Sequence, residues 1–373
     1  MQKLQDPSDA SYRNVHSCRA LLCKLAFMSR MLDEIRQQPE TLARTLAAEL
    51  RRIEKFRAWA SRKKPRLVVL AARGTSDNAA QFGRYLIEIT TGIPVSLAAP
   101  SVHTIYGARI NYKDAVVVGL SQSGESTDVN MVLEQAARAG AVTVGITNEP
   151  RGALAGIAAH VFLVRAGREK SVTATKTYTG QLMLLYLLAY ALGAKIRIAD
   201  IEAIPDLVAG ALTLEGEVAA MAERYRFMHH AVVVGRGLNY ANAFEFALKL
   251  METSYVVAER FSSADLLHGP IAMVEPNFPA FLFAPSGPTW TSMREILTRL
   301  DGLKAETVVI TDRRNAAAVN LASRIIPLPV RIPELFTPIP YIVPAQLFAA
   351  SLAAEKNLNP DRPRSLNKIT RTM

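Results

Sequence analysis

The stretch "LVVLAARGTSDNAAQFGRYLIE", residues 67–88, opens with six apolar residues, turns at Arg73-Gly74-Thr75-Ser76 and continues with helical spacing. A run as short as Leu67 to Ala71, bounded by a turn signal, reads as a strand covered on both faces rather than as a helix. The pattern recurs as "AVVVGRGLNYANAFEFALKLME", residues 231–252, with Arg236-Gly237 lying over Arg73-Gly74. Outward from the first copy come a short strand around Pro94 to Ala98 and the strand "AVVVGL" (115–120). The polar loop "SQSGES" and a helix from Asp128 to Ala139 follow, then the strands "AVTVGIT" (141–147) and "HVFLVRAG" (160–167). Outward from the second copy, "FPAFLFAPSGPTW" (278–290) answers "DAVVVGLSQSGES" (114–126), and "ETVVITD" (306–312) answers "AVTVGIT". An offset of about 163 residues therefore relates two half-molecules. Strands alternating with helices in each half predict an α/β chain with two tandem domains, each a doubly wound, mainly parallel sheet flanked by helices.

The boundaries follow from the same pattern. Residues 1–27 read as a poorly ordered extension, with Met28 or Met31 as an alternative start of translation. Residues 28–210 form the first domain, with a helical lead-in from Met31 to Ala60. Residues 211–355 form the second and residues 356–373 a C-terminal tail, the join falling in a helical connection between Ala194 and Arg226.

Bulk properties exclude several classes. The two cysteines, Cys18 and Cys23, make no disulfide scaffold and lack a second ligand pair for zinc, which fits a reducing cytoplasm. The net charge is +11, and the densest basic run is "RRIEKFRAWASRKKPR", Arg51 to Arg66. That run reads as a solvated helix face, because no helix-turn-helix, zinc-finger or RNA-binding signature accompanies it, so no nucleic acid is expected. A positive field also draws in anionic metabolites. The most apolar segment, "GQLMLLYLLAYALGA" from Gly180 to Ala194, falls short of the roughly 20 residues that span a bilayer and reads as a buried helix. Near the N-terminus, Lys24 interrupts "ALLCKLAFM", which argues against a signal peptide, so no membrane association is expected.

The loop "SQSGES" raises the functional question. In a parallel sheet, ligands gather where strands deliver their carboxyl ends into helix starts, whose unpaired N–H groups and positive dipole end suit an anion. Gly124 lets the backbone curl while Ser121, Ser123 and Ser126 add hydroxyl donors, and Thr75-Ser76 ends the neighbouring strand. This fits a phosphate monoester held without a metal, since neither the phosphate loop of nucleotide-binding proteins nor the spaced glycines of a dinucleotide fold is present. One serine would be an N-cap; three with Gln122 ask for more. In the second half the equivalent loop is Ala284-Pro285-Ser286-Gly287-Pro288, whose two prolines remove amide donors. One anion site per chain is therefore expected, in the first half.

With these residues in view, the chain resembles the sugar-isomerase (SIS) family. It is most similar to the isomerase part of glutamine–fructose-6-phosphate aminotransferase and to amino-sugar-phosphate deaminases. "RGTSDNA", "LSQSGES", "EKSVTATKTYT", "FEFALKLMETSY", "LLHGP" and "NPDRPRSLNK" occur in the family's order. The resemblance implies phosphate binding by Ser121, Gln122, Ser123 and Ser126, with Ser76, Thr75, Val172 and Glu169 around the sugar. It implies that Glu252 moves a proton between C1 and C2, with Lys249 on the same helix face. It also implies that His268 of a partner subunit opens the sugar ring and that Lys368 in the tail meets the open-chain carbonyl. A homodimer with a shared site follows, acting on a hexose or hexosamine 6-phosphate with no metal or organic cofactor. The chemistry suits the residue types. An imidazole titrates in the useful range for ring opening, a carboxylate drawn out of water can carry the proton, and a lysine can bind or steady a carbonyl. Taken singly, each residue has a plainer reading: a surface charge for Glu252, a solvated side chain for Lys249, a packed or capping His268, a loose Lys368, and a helix cap for Glu169.

The resemblance also has departures. Met1 is followed by Gln2, not the cysteine nucleophile of the aminotransferase's glutaminase domain, so glutamine hydrolysis by that route is not expected. Asn367 stands where the aminotransferase has alanine before the terminal lysine, and "EKSVTATK" looks more like the deaminases. The leading expectation is deamination of glucosamine 6-phosphate to fructose 6-phosphate. The alternatives are an ammonia-dependent aminating isomerase, a fructosamine-6-phosphate deglycase and a non-catalytic phosphosugar sensor.

Overall fold

The computed structural model describes residues 29–366 and 368. The expectations for residues 1–27 and for Asn367 lie outside the described residues. The lead-in is two helices rather than one, Arg30–Arg36 and Gln38–Lys63. Gln37 ends the first, and Pro39, in the opening turn of the second, has no N–H with which to carry a helix through.

The first half contains five strands: β1 (Leu67–Ala71), β2 (Val95–Leu97), β3 (Ala115–Ser121), β4 (Val142–Thr147) and β5 (His160–Leu163). They form one sheet in the order β2-β1-β3-β4-β5, and every pairing is parallel. The second half repeats this with β6 (His230–Gly235), β7 (Val257–Ser262), β8 (Pro279–Phe283), β9 (Glu306–Asp312) and β10 (Arg324–Leu328). Their order, β7-β6-β8-β9-β10, has the same topology and is again all parallel. Every residue of β3 and of β8 is buried, which is why both read as unbroken apolar runs.

Both sheets turn one face to a single core. Between them lie the helices Thr75–Thr91, Lys176–Ala191, Tyr240–Ser254 and Pro338–Glu355. In Lys176–Ala191 all residues but Tyr190 are buried, so the segment has no polar stripe and truncating any of its leucines would cost about 2–5 kcal/mol. The outer face of each sheet has its own smaller cluster, Val117 with Leu133 in the first half and Leu282 with Leu297 in the second. Between the halves run three helices, Ile198–Glu202, Ile204–Leu212 and Glu215–Glu223. Among the described residues no helix is long and apolar enough to cross a membrane.

The helix Thr75–Thr91 packs along Tyr240–Ser254, so the second half delivers side chains beside the strand ends of the first.

Candidate active site

Strands β1 and β3 are neighbours, with Ala71 in register with Gly119, so the loops after them open side by side. There the chain forms a cavity of about 370 Å³. Thr75, Ser76, Ser121, Gln122, Ser123, Ser126, Val172, Glu252 and Lys368 line it, together with Arg73. Nine of the twelve residues singled out from the sequence thus meet at one hollow.

The loop is held open by its own bonds. Gly124 has φ +70° and donates its N–H to Ser121 Oγ at 3.1 Å, while Glu125 N–H donates to Ser123 Oγ at 3.2 Å. The Gly124 carbonyl accepts from Asn130 Nδ2 and Leu154 N–H, fixing the curl from below. Ser126 is the N-cap residue of the helix Thr127–Arg138, but its hydroxyl does not cap. It donates to Asp128 Oδ1 at 3.0 Å. Asp128 is buried in the first turn of that helix, and Arg73 Nε donates to its other oxygen at 2.6 Å. Burial would raise the Asp128 carboxyl, but the bonds from Arg73 and Ser126 hold it below the ordinary range.

The helix Tyr240–Ser254 supplies one wall of the cavity. Glu252 is the member of it that reaches the cavity. Beneath it Lys249, fully buried, sits with its Nζ 2.8 Å from Glu252 Oε2, 3.2 Å from Glu245 Oε1 and 3.1 Å from Thr75 Oγ1. Lys249 therefore does not line the cavity; it braces the carboxylate that does. Burial pushes its ammonium down, but the charges of Glu245 and Glu252 outweigh burial and hold it up at about 12. Glu245, also fully buried, accepts from Asn78 Nδ2 at 2.8 Å and is pushed up to about 7, burial winning over the attraction of Lys249. The two upward shifts are compatible because the cation has two carboxylate partners, whereas Glu245 has one cation and a like charge in Glu252.

Glu169 caps a helix and does not line the cavity. It accepts from the N–H groups of Thr175 and Thr177 and from Thr177 Oγ1, capping the helix Lys176–Ala191, and Lys368 Nζ donates to it at 3.0 Å. Burial favours the neutral acid, yet Lys368 and the three threonine donors hold its carboxyl below the usual value. Lys368 also donates to the Ser171 carbonyl at 2.6 Å, which fastens the tail over Val172. Ser76 Oγ accepts from Gln181 Nε2 at 2.9 Å. His268 follows the helix Ser263–Leu267, exposed and outside the cavity of its own chain.

The second half carries the counterpart of the anion loop, and it is filled. Thr289 N–H donates to Glu334 Oε2 at 3.0 Å, and a Cβ added at Gly287 would meet the same oxygen at 2.4 Å. A carboxylate of the chain itself takes up the helix start that the first half leaves open. Among the described residues there is no group of three or more histidines, cysteines or acidic residues able to hold a metal ion.

With this geometry established, comparison with known proteins is decisive for the family. The SIS domain matches residues 62–191 and again residues 226–356. The chain belongs to the SIS domain family. This SIS protein is 33% identical over 367 residues to glutamine–fructose-6-phosphate aminotransferase (isomerizing) of Gloeobacter violaceus, covering 94% of the chain and 59% of the relative. It is 34% identical over 349 residues to the protein of that name from Pyrococcus horikoshii, covering 91% of the chain and 57% of the relative. It thus spans less than two thirds of the length of the curated relatives it matches. It corresponds to the C-terminal domain of glucosamine-fructose-6-phosphate aminotransferase from Francisella tularensis, with 27% identity, a TM-score of 0.82, and coverage of 90% of this chain and 98% of that one.

Sequence reasoning missed Glu245, Asp128 and the contribution of Arg73. The signal for Glu245 was there: Glu245, Lys249 and Glu252 are spaced four and three apart on one helix face.

Proposed function

We propose that this SIS protein is an amino-sugar-6-phosphate deaminase and isomerase, converting glucosamine 6-phosphate to fructose 6-phosphate and ammonia. The observation that carries the reading is the meeting of the Ser121–Ser126 loop, Glu252 and Lys368 at one cavity. The phosphoryl group sits at the start of the helix Thr127–Arg138, held by serine hydroxyls and free amides. His268 of a partner subunit opens the ring, and its exposure outside its own cavity supports a shared site in a homodimer. Glu252 takes the proton from C2 and returns it to C1, turning the amine-bearing carbon into an imine. Water adds to that imine and ammonia leaves, giving the ketose. Lys249, donating at 2.8 Å, keeps the carboxylate aimed at the sugar. Lys368 faces the carbonyl end of the open chain.

Incubation of the purified protein with glucosamine 6-phosphate, with ammonia and fructose 6-phosphate both measured, tests the reading; neither product appearing refutes it. Glu252→Gln is expected to bind sugar phosphate and to lose turnover by at least about a thousandfold, of the order that positioned acid–base groups contribute. Mixing Glu252→Gln with His268→Ala subunits should restore activity if the site is shared. The names of the relatives at 33–34% identity favour a second direction, amination of fructose 6-phosphate by free ammonia. The same residues serve both directions, and comparing initial rates each way at millimolar ammonia separates them.

A further inference from the structure

Two cations line the cavity, Arg73 and Lys368. Lys368 is already engaged by Glu169 and the Ser171 carbonyl. Arg73 is not. Its Nε is tied to Asp128, but neither Nη group bonds to any described residue, and its side chain is 51% exposed at the rim. A guanidinium has five donors in a fixed plane; one is spent here and the remaining fork is left at the anion loop. The tether also has a purpose. Asp128, only 3% exposed, stands two residues past Ser126 in the first turn of the helix meant to receive an anion. Left alone, that carboxylate would repel a phosphoryl group at close range. Arg73 cancels it and reaches the loop from the other strand. A further acid, Asp77, lies in the first turn of the helix Thr75–Thr91 and within electrostatic reach of Arg73, and Glu252 lines the same cavity.

We infer that Arg73 is the specificity-determining residue that reads the second negative charge of the phosphoryl group, gripping it from the β1 side while the Ser121–Ser126 loop holds it from the β3 side. This rests on the phosphosugar reading of the cavity. Serine hydroxyls and amides accept any tetrahedral oxyanion of the right size; a tethered guanidinium adds a preference for a dianion over a monoanion.

The test compares the binding of hexose 6-phosphate and hexose 6-sulfate, which share shape and differ in charge, by calorimetry on wild-type, Arg73→Gln and Arg73→Lys proteins. Wild type is expected to prefer the phosphate. Arg73→Gln should weaken phosphate binding about 10- to 100-fold, the scale of a charge-assisted hydrogen bond, and weaken sulfate binding much less, so that the preference shrinks. Arg73→Lys keeps the charge without the fork and should recover part of the preference, and it stands as the test on its own if the glutamine variant fails to fold. Equal loss on both esters makes Arg73 a mere support of the loop and overturns the inference, as does an unchanged preference. If the wild type binds neither ester, the phosphosugar reading itself falls and takes this inference with it.

Discussion

Replacing Glu245 by glutamine isolates the buried charge cluster on the helix Tyr240–Ser254. In the folded protein burial pushes the Glu245 carboxyl up to about 7, against an ordinary value of 4.5. Between those two values the folded chain keeps a proton that the unfolded chain releases, so stability falls as pH rises through the window and levels off above about 7. At about 1.4 kcal/mol for each tenfold change in proton concentration, the window from pH 5 to pH 8 is worth about 2–3 kcal/mol. Lys249, held up at about 12, contributes stability that is present below its ordinary value of 10.5 and lost only as pH rises through 12, so it is silent in this range. Glutamine has nearly the same shape and no proton to lose. It leaves Lys249 with Glu252 alone, which offsets the stability curve without bending it. Urea unfolding of both proteins at half-unit steps from pH 5 to pH 8 gives the difference directly. The wild type should lose about 2–3 kcal/mol relative to Glu245→Gln over that range. A difference that stays flat, or that grows in favour of the wild type with pH, would refute the claim that burial outweighs the attraction of Lys249.

Three further outcomes follow from single contacts. In Gly287→Ala the new Cβ would lie 2.4 Å from Glu334 Oε2 and 2.7 Å from its Cβ, forcing the carboxylate off Thr289 N–H, and thermal denaturation should register about 1–3 kcal/mol of lost stability. Gly124→Ala puts a side chain at φ +70° and 3.2 Å from the Gly152 Cα, so the loop must shift; calorimetric affinity for hexose 6-phosphate should drop about tenfold while circular dichroism stays the same. Glu169→Gln removes the charge that fastens Lys368, and carboxypeptidase digestion of the C-terminus should accelerate at neutral pH. In the wild type that latch is present above pH 4.5 and lost as pH falls through the lowered carboxyl value of Glu169, so acid should reproduce the effect of the variant.

The fold was legible because buried parallel strands have no choice but to be apolar throughout. Leu67–Ala71, Ala115–Ser121 and Pro279–Phe283 announce themselves, and duplication repeats the announcement. The anion loop was legible for the opposite reason: Ser121 to Ser126 is too polar for a turn between buried elements. Glu245 was missed because a lone acid among Phe244, Phe246 and Ala247 looks like a solvent-facing break in an apolar helix, and only its distance from Lys249 and Glu252 argues otherwise. Glu334 could not be read at all. It lies 45 residues from Thr289, and nothing local marks a carboxylate that fills a distant helix start. Arg73 served as an anchor for aligning the halves, and its role shows only once Asp128 is beside it.

The two halves share a topology but not a task, and the difference can be traced to single carboxylates. The Arg-Gly anchor, at an offset of 163 residues, lays Glu252 over Ile89, next to Glu88. Glu88 spends its charge locally, accepting from Val95 N–H at 2.9 Å and facing Arg84 at 3.9 Å. The second half supplies Glu252 to the cavity but closes its own helix start with Glu334. Each half thus lacks what the other supplies, and the helices Thr75–Thr91 and Tyr240–Ser254 are where the deficit is made up. Thr75 and Asn78 of the first bond to Lys249 and Glu245 of the second, tying the two helices that meet at the cavity. A site assembled this way constrains the pairing of the halves more tightly than apolar packing alone. A slip of one turn, about 5.4 Å, would strip the buried Glu245 of Asn78 and the buried Lys249 of Thr75, at a cost of about 1–3 kcal/mol for each bond lost.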